Sequence, residues 1–353
     1  MESNKCVRFT LITSHFLLMT KTLKVGLIGC GRIGKVHAAA LEQVDTAELV
    51  RVCDVYIEAA EEVGNKYRVP YSDNHHDILM DADVDAVLIC SSTDTHAQFM
   101  IEAAESGKQI FCEKPIHHDL EEIDRALAAV EKAGVKLMIG FNRRFDANFR
   151  AVKAAIDAGE IGDMHILKIT SRDPAPPPIE YIKVSGGIFL DMTIHDFDMA
   201  RYLTGSEVEE VFVQAAVRVD PAIGEAGDVD TAIINLKFED GTLCVIDNSR
   251  QAVYGYDQRV EAFGAKGMVE CDNNTPTRHR LSTADSVASP KPLYFFLERY
   301  MDAYATEIRE FVECVVNDTP VPVGGADGRA PVVIGLAAWK SARENRPVKI
   351  SEI

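Results

Sequence analysis

Leu23-Lys24-Val25-Gly26-Leu27-Ile28-Gly29-Cys30-Gly31-Arg32-Ile33-Gly34 joins an apolar run to a glycine-rich turn. Leu23 to Ile28 is a short apolar run of the kind that becomes a buried strand, and Gly29 to Gly34 has the spacing G-x-G-x-x-G before a helical pattern. Each glycine has its own physical task. Gly29 permits a tight turn, Gly31 lets the backbone approach a pyrophosphate, and Gly34 lets the helix pack close to the strand. Free N–H groups at the helix start hold the phosphate charge, so Arg32 and Ile33 belong to the same expected cofactor loop. Asp54 closes the next apolar run, 20 residues after Gly34, where a carboxylate takes both hydroxyls of an adenosine ribose. A 2′-phosphate there would face a like charge, and Asp54 is followed by Val55 and Tyr56 rather than by a cation; the expected cofactor is NAD, not NADP.

Outward from this loop the chain alternates. Leu49–Cys53, Ala86–Cys90, Gln109–Cys112 and Lys136–Phe141 read as strands, with helices at Ile57–Tyr67, Thr95–Glu105 and Leu120–Ala133. Continuous apolar strands separated by amphipathic helices predict βαβ units and a doubly wound parallel sheet, an α/β Rossmann-type domain over residues 21–142. After about residue 150 the pattern changes. Met164–Arg172, Val208–Val219, Asp230–Phe238, Thr242–Arg250, Arg259–Phe263 and Gly267–Cys271 read as strands joined by turns. One helix is expected among them at Met192–Leu203, and two close the chain at Leu297–Val316 and Ala330–Glu344. Residues 143–353 are therefore expected to form an α+β domain around a large, mostly antiparallel open sheet, with the late helices packing back on the first domain. Residues 1–20 read as an extension ahead of the fold, disordered or from an upstream start. Thr10, Thr13, Ser14 and His15 interrupt the apolar run a secretory signal would need.

The 353 residues carry a net charge of −18, which disfavours binding to nucleic acid or anionic membranes. No run reaches the ~20 apolar residues of a membrane helix. The eight cysteines include no Cys-x-x-Cys pair, so the reading is of buried free thiols, a cytoplasmic location and no zinc site.

Two further motifs bear on chemistry. Glu113-Lys114-Pro115 ends a strand on the edge of the sheet where ligands of open α/β folds collect. Gly186-Gly187-Ile188-Phe189-Leu190-Asp191-Met192-Thr193-Ile194-His195-Asp196-Phe197-Asp198 puts Asp191, His195 and Asp198 on one face if a helix starts near Asp191. Such a face is a poor core face. Metal ligation is one use for it, though no second His/Cys cluster supports that use and no metal is expected. A capped helix with a surface histidine is the plain alternative. Ser92, Thr93 and His96, just after a strand, are read as lining the nicotinamide side, although Ser and Thr before a helix also serve as ordinary caps; Glu113 and Lys114 are read as binding the cofactor too.

With Gly140-Phe141-Asn142-Arg143-Arg144-Phe145-Asp146 and Tyr254-Gly255-Tyr256-Asp257, these motifs resemble the glucose–fructose oxidoreductase/inositol dehydrogenase family over residues 22–350. The resemblance implies NAD-dependent oxidation of a secondary alcohol of a cyclitol, with myo-inositol as the leading substrate. Scyllo-inositol or glucose is the alternative, and an NAD-dependent glycosidase on the same scaffold is a more distant one. It also implies that Lys114, Asp191 and His195 are catalytic. His195 suits a general base and Lys114 stabilises the developing alkoxide; Asp191 orients the imidazole or holds a neighbouring hydroxyl. Polyol contacts are expected from Asp198, Arg143, Asp173 and Tyr254, together with Asp191 and His195. Family members assemble, commonly as tetramers, so a homo-oligomer is expected.

Overall fold

The computed structural model describes residues 22–353. The expectation for residues 1–20 lies outside the described residues. The first unit runs β1 (Leu23–Ile28), α1 (Arg32–Leu41), β2 (Ala47–Cys53), α2 (Ile57–Tyr67), β3 (Tyr71–Ser72), α3 (His76–Leu79), β4 (Ala86–Ile89), α4 (Thr93–Glu105), β5 (Gln109–Glu113), α5 (Leu120–Ala133) and β6 (Leu137–Gly140). Its six strands are all parallel in the order β3-β2-β1-β4-β5-β6. The order reverses between β1 and β4, which puts the glycine turn at the crevice where such sheets bind ligands. Helices cover both faces, so β4 and β6 are buried at every residue. The helices follow from local sequence. In α5, Asp119 caps the start by accepting from the Glu121 N–H, Ile123, Ala126 and Val130 form the buried face, and Gly134 ends it in the left-handed region.

The second unit continues with α6 (Ala147–Asp157), β7 (Met164–Arg172), α7 (Ile179–Ile182), α8 (Gly187–Asp191), α9 (Ile194–Thr204), β8 (Val208–Ala216), α10 (Pro221–Glu225), β9 (Thr231–Phe238), β10 (Leu243–Ser249), β11 (Asp257–Gly264) and β12 (Gly267–Cys271). There follow the small hairpin β13 (Leu281–Ser282) and β14 (Val287–Ala288), α11 (Phe296–Arg299), α12 (Met301–Val316), α13 (Gly325–Glu344) and β15 (Val348–Lys349). Seven strands form a mixed sheet in the order β12-β11-β7-β10-β9-β8-β15, antiparallel except that β7 and β10 run parallel. Helices α9 and α13 cover one face, and α12 crosses to pack on α1.

Three expectations need correction. The sequence reading left out α6 and the short helices α3, α7, α8 and α10. The late helices differ in their starts: Tyr300 separates α11 from α12, and α13 begins at Gly325 rather than Ala330. The helix expected at Met192–Leu203 is broken at Met192–Thr193, with Asp191 ending α8 and His195 in the first turn of α9. The break is held from afar: the Thr193 hydroxyl lies 2.6 Å from Asn248 Oδ1 on β10 and 3.1 Å from the Ile188 carbonyl. Among the described residues all seven cysteines are free, and only Cys271 is not buried. No helix among them is long and apolar enough to cross a membrane.

Candidate active site

The glycine loop has the geometry of a dinucleotide cradle. Gly29 sits at φ +98, and a Cβ there would come within 2.5 Å of the Cys90 backbone. A Cβ on Gly34 would stand 2.0 Å from the Gly29 carbonyl oxygen, whereas one on Gly31 would meet nothing within 4 Å. So Gly29 and Gly34 are fixed by packing, and Gly31 leaves open space beside the α1 N-terminus. No side chain caps that end, which leaves first-turn N–H groups for an anion. Asp54 accepts from the Cys30 N–H at 2.7 Å and the Tyr56 N–H at 2.9 Å, placing its carboxylate beside the loop. Arg32 is exposed, with its guanidinium 5.7 Å from the Phe296 ring centroid, and Ile33 is half-buried. These residues fit NAD.

The ends of β4 and β5 supply the next layer. Exposed Ser92 and half-buried Thr93 stand at the start of α4. His96 and Glu113, expected against the cofactor, have their side chains turned inward and brace the strand ends. The His96 ring is 2% exposed, with Nδ1 2.8 Å from the Pro115 carbonyl and Nε2 3.0 Å from that of Ser91, and burial lowers its pKa. Glu113 places one oxygen 2.6 Å from His37 Nε2 on α1 and accepts the Lys114 N–H on the other at 3.1 Å. One buried carboxylate thus ties the phosphate-binding helix to the backbone of Lys114. The Lys114 ammonium reaches across to the second domain and donates to the Asp191 main-chain oxygen at 3.1 Å.

Strand alternation presents the other half. On β10 the inward positions are Cys244, Ile246, Asn248 and, one residue past its end, Arg250; on parallel β7 the inward positions end at Ser171. Arg250 is 2% exposed and bridges two carboxylates, Asp173 at 3.2 Å and Asp191 at 2.9 Å. The other Asp191 oxygen accepts from the Tyr181 hydroxyl at 2.8 Å. Burial pushes the Asp191 carboxyl up, but Arg250, Lys114 and Tyr181 outweigh it, and its pKa ends below the ordinary value. Asp173 goes the other way, raised by burial and by Asp191 despite Arg250. His195 is packed edge-on against Phe141, ring centroids 6.0 Å apart. Burial together with the charges of Lys114 and Arg143 holds its pKa well below the ordinary value, so the ring is neutral and ready to accept a proton. Its Nδ1 is buried without a hydrogen-bond partner among the described residues, and both Asp191 oxygens are bound elsewhere. Asp191 therefore anchors Lys114 and Arg250 rather than orienting the imidazole.

Arg143 is 4% exposed and lies beneath this group, 2.5 Å from Asp196 and 3.4 Å from both the Ser171 and Tyr256 hydroxyls. Two expected substrate contacts are corrected. Asp198 does not share a face with Asp191, because the break at Met192–Thr193 turns it away; it is 1% exposed and forms a buried pair with Arg144 at 2.7 Å, which also binds Asp327. Tyr254 lies on the outer side of the sheet, its hydroxyl bonded to Asp257 and Arg172. Gly255, at φ +133 and with no room for a Cβ against the Pro292 carbonyl, inverts the chain, so that Tyr256 is the inward tyrosine. Tyr181, Arg250 and Tyr256 were missed. The alternation of Thr242–Arg250 carries a signal for Arg250, a charged residue on the buried side of a strand end.

The chain matches two family models in order. The one described as "Oxidoreductase family, NAD-binding Rossmann fold" covers residues 23–141, and that of the GFO/IDH/MocA C-terminal domain covers residues 149–270. It is 51% identical to a myo-inositol 2-dehydrogenase of Thermotoga maritima over 333 residues, 94% of this chain and 99% of that one. It is 46% identical to an inositol 2-dehydrogenase of Rhizobium meliloti over 330 residues, covering 94% of this chain and all of the relative. Among solved structures, scyllo-inositol dehydrogenase from Lactobacillus casei with bound NAD(H) and scyllo-inositol aligns with TM-score 0.88 at 30% identity, covering 94% of this chain and 100% of that one.

Proposed function

Because the chain belongs to the GFO/IDH/MocA family of oxidoreductases, we propose that it oxidises the C2 hydroxyl of myo-inositol to the 2-keto product with NAD. The observation that carries this reading is the reach of the Lys114 ammonium from the end of β5 across to the main-chain oxygen of Asp191, on the segment that leads into α9 and His195.

Oxidising a secondary alcohol needs a base for the hydroxyl proton and an acceptor for the hydride. The bound nicotinamide supplies the acceptor. His195, kept neutral, takes the proton. Lys114 places positive charge at the oxygen as alkoxide character develops, an effect larger at a water-poor site than in solvent. Asp191 holds the Lys114 ammonium through its main-chain oxygen and stays ionised between Arg250 and Tyr181. Asp173, Arg143 and Tyr256 offer the short carboxylate, fork-like donor and hydroxyl that suit an uncharged ring of hydroxyls. Asp54 sets the cofactor through like-charge repulsion of a 2′-phosphate.

One assay matrix tests substrate and cofactor together: myo-inositol, scyllo-inositol and glucose, each with NAD and NADP, followed by absorbance of the reduced cofactor. The expected maximum is myo-inositol with NAD. Absence of activity on every inositol ends the substrate reading, and preference for NADP ends the role given to Asp54.

The outer face of the second sheet supports assembly. Met268, Phe263, Ile166 and Leu243 are successive register partners across β12, β11, β7 and β10, and all are exposed, from 39% to 53%. Such a continuous apolar row suits a second copy of the chain, consistent with a homotetramer in the cytoplasm. Sedimentation as an oligomer is expected, and a monomer at all concentrations would contradict it.

A further inference from the structure

Asn74-His75-His76-Asp77 runs from the loop after β3 into the first turn of α3, on the adenosine edge of the first sheet and away from Lys114 and His195. Here two imidazoles and a carboxylate converge. The ligand atoms of His75, His76 and Glu102 all lie within 4.8 Å of one another, and His75 Nε2 is 2.6 Å from Glu102 Oε2. Each group is held by an independent contact. The His75 ring lies between those of Phe99 and His76, with centroids 4.4 and 4.2 Å away. Glu102 is bound on its other oxygen by Gln98, one turn earlier on α4, at 2.5 Å, which leaves Oε2 for the histidines. The Asn74 side chain accepts the His76 N–H at 3.0 Å and fixes the turn that carries both rings.

We propose that His75, His76 and Glu102 bind one zinc ion. Two imidazoles and one carboxylate are a borderline donor set, suited to zinc rather than to magnesium or calcium, which take oxygen ligands. Ligand atoms around tetrahedral zinc stand roughly 3.4 Å apart, so the His75–Glu102 pair, now at 2.6 Å, opens while exposed His76, whose ligand atom lies within 4.8 Å of both, moves in. The fourth position faces solvent and takes water. Zinc takes the free imidazole nitrogens and the carboxylate, so any proton between His75 Nε2 and Glu102 Oε2 leaves to solvent as the ion binds. The acidic chain, net −18, favours cation approach. Neither cysteine spacing nor the Asp191–Asp198 segment points to this place, because Glu102 is 26 residues from His76 and meets it only through the fold.

The bound ion ties the β3–α3 loop to α4. Since the Asp54 N–H bonds the Ser72 carbonyl, this loop adjoins the strand end that carries Asp54. The test uses the whole protein freed of metal, with zinc ion added in equilibrium dialysis and in thermal melts at neutral pH, and magnesium as control. The expected result is one zinc per chain and a melting point raised on the order of 5 °C at a hundredfold excess over the dissociation constant, with no response to magnesium. His76→Ala with Glu102→Gln is expected to lose both effects while retaining turnover, since neither residue touches the site of chemistry. No zinc retained by the wild type, or equal uptake by the double variant, overturns the proposal; the second outcome would place the ion elsewhere.

Discussion

Replacement of His195 by alanine is expected to lower turnover of myo-inositol about 10²–10⁴-fold while NAD affinity stays near that of the parent. The loss is large because the imidazole is the group that takes the proton. The nearby carboxylates are engaged elsewhere: Asp191 accepts from Tyr181 and Arg250, and one Asp173 oxygen accepts from Arg250. Steady-state kinetics with cofactor titration check it, and near-normal turnover removes His195 from the mechanism. The pH profile adds a sign. A base whose pKa is depressed stays neutral to lower pH, so oxidation in the parent is expected to hold constant below the ordinary histidine value and to fall only once the ring is protonated. In Lys114→Ala one of the two cations depressing that pKa is gone, and the acid limb of the residual activity moves to higher pH. An unmoved limb would mean that Lys114 is too far from the ring to act on the same hydroxyl.

The second large effect concerns stability. Asp196→Ala is expected to cost about 3–5 kcal/mol, because it strands a charge in the interior. Asp196 is fully buried, 2.5 Å from the Arg143 guanidinium and 3.0 Å from the Asn248 amide. At about 2.1 cal/mol/K of unfolding entropy per residue, each kcal/mol is worth roughly 1.3 °C in a chain of this length, and the melting point falls by about 5 °C. Burial raises the Asp196 pKa against the pull of Arg143, so the pair exists at a desolvation cost and its value lies in holding Arg143 in place. Replacing both, as Arg143→Met with Asp196→Leu, is expected to recover most of the stability and none of the activity. A single variant that melts within a degree of the parent would show that the guanidinium finds another partner or water.

The glycine loop made the first domain readable because its requirements are local: a strand, a turn that only glycine permits and a helix start lie within twelve residues. The parallel order of the sheet followed from continuous apolar strands and the handedness of their crossovers. The second half was readable where alternation was strict, as in Thr242–Arg250, and unreadable where distant residues decide. Helical spacing grouped Asp191, His195 and Asp198, yet a hydrogen bond between Thr193 and Asn248, 55 residues apart, breaks the helix and leaves Asp198 to Arg144. In the same way a period of two pairs Tyr254 with Tyr256, and the positive φ of Gly255 separates them. Lys114, Asp191 and His195 were nameable from motifs. Arg250 and Tyr181, which bind the Asp191 carboxylate, come from a strand end and a short helix; alternation marks Arg250 as inward, and nothing local marks Tyr181.

A crystal structure of the complex with NADH and myo-inositol decides whether Lys114 and His195 act on one hydroxyl. A single inositol oxygen is expected within hydrogen-bond distance of both Lys114 Nζ and a His195 ring nitrogen, its carbon facing the nicotinamide. An inositol bound with its nearest hydroxyl on only one of the two side chains, or with no carbinol hydrogen directed at the nicotinamide ring, would contradict it.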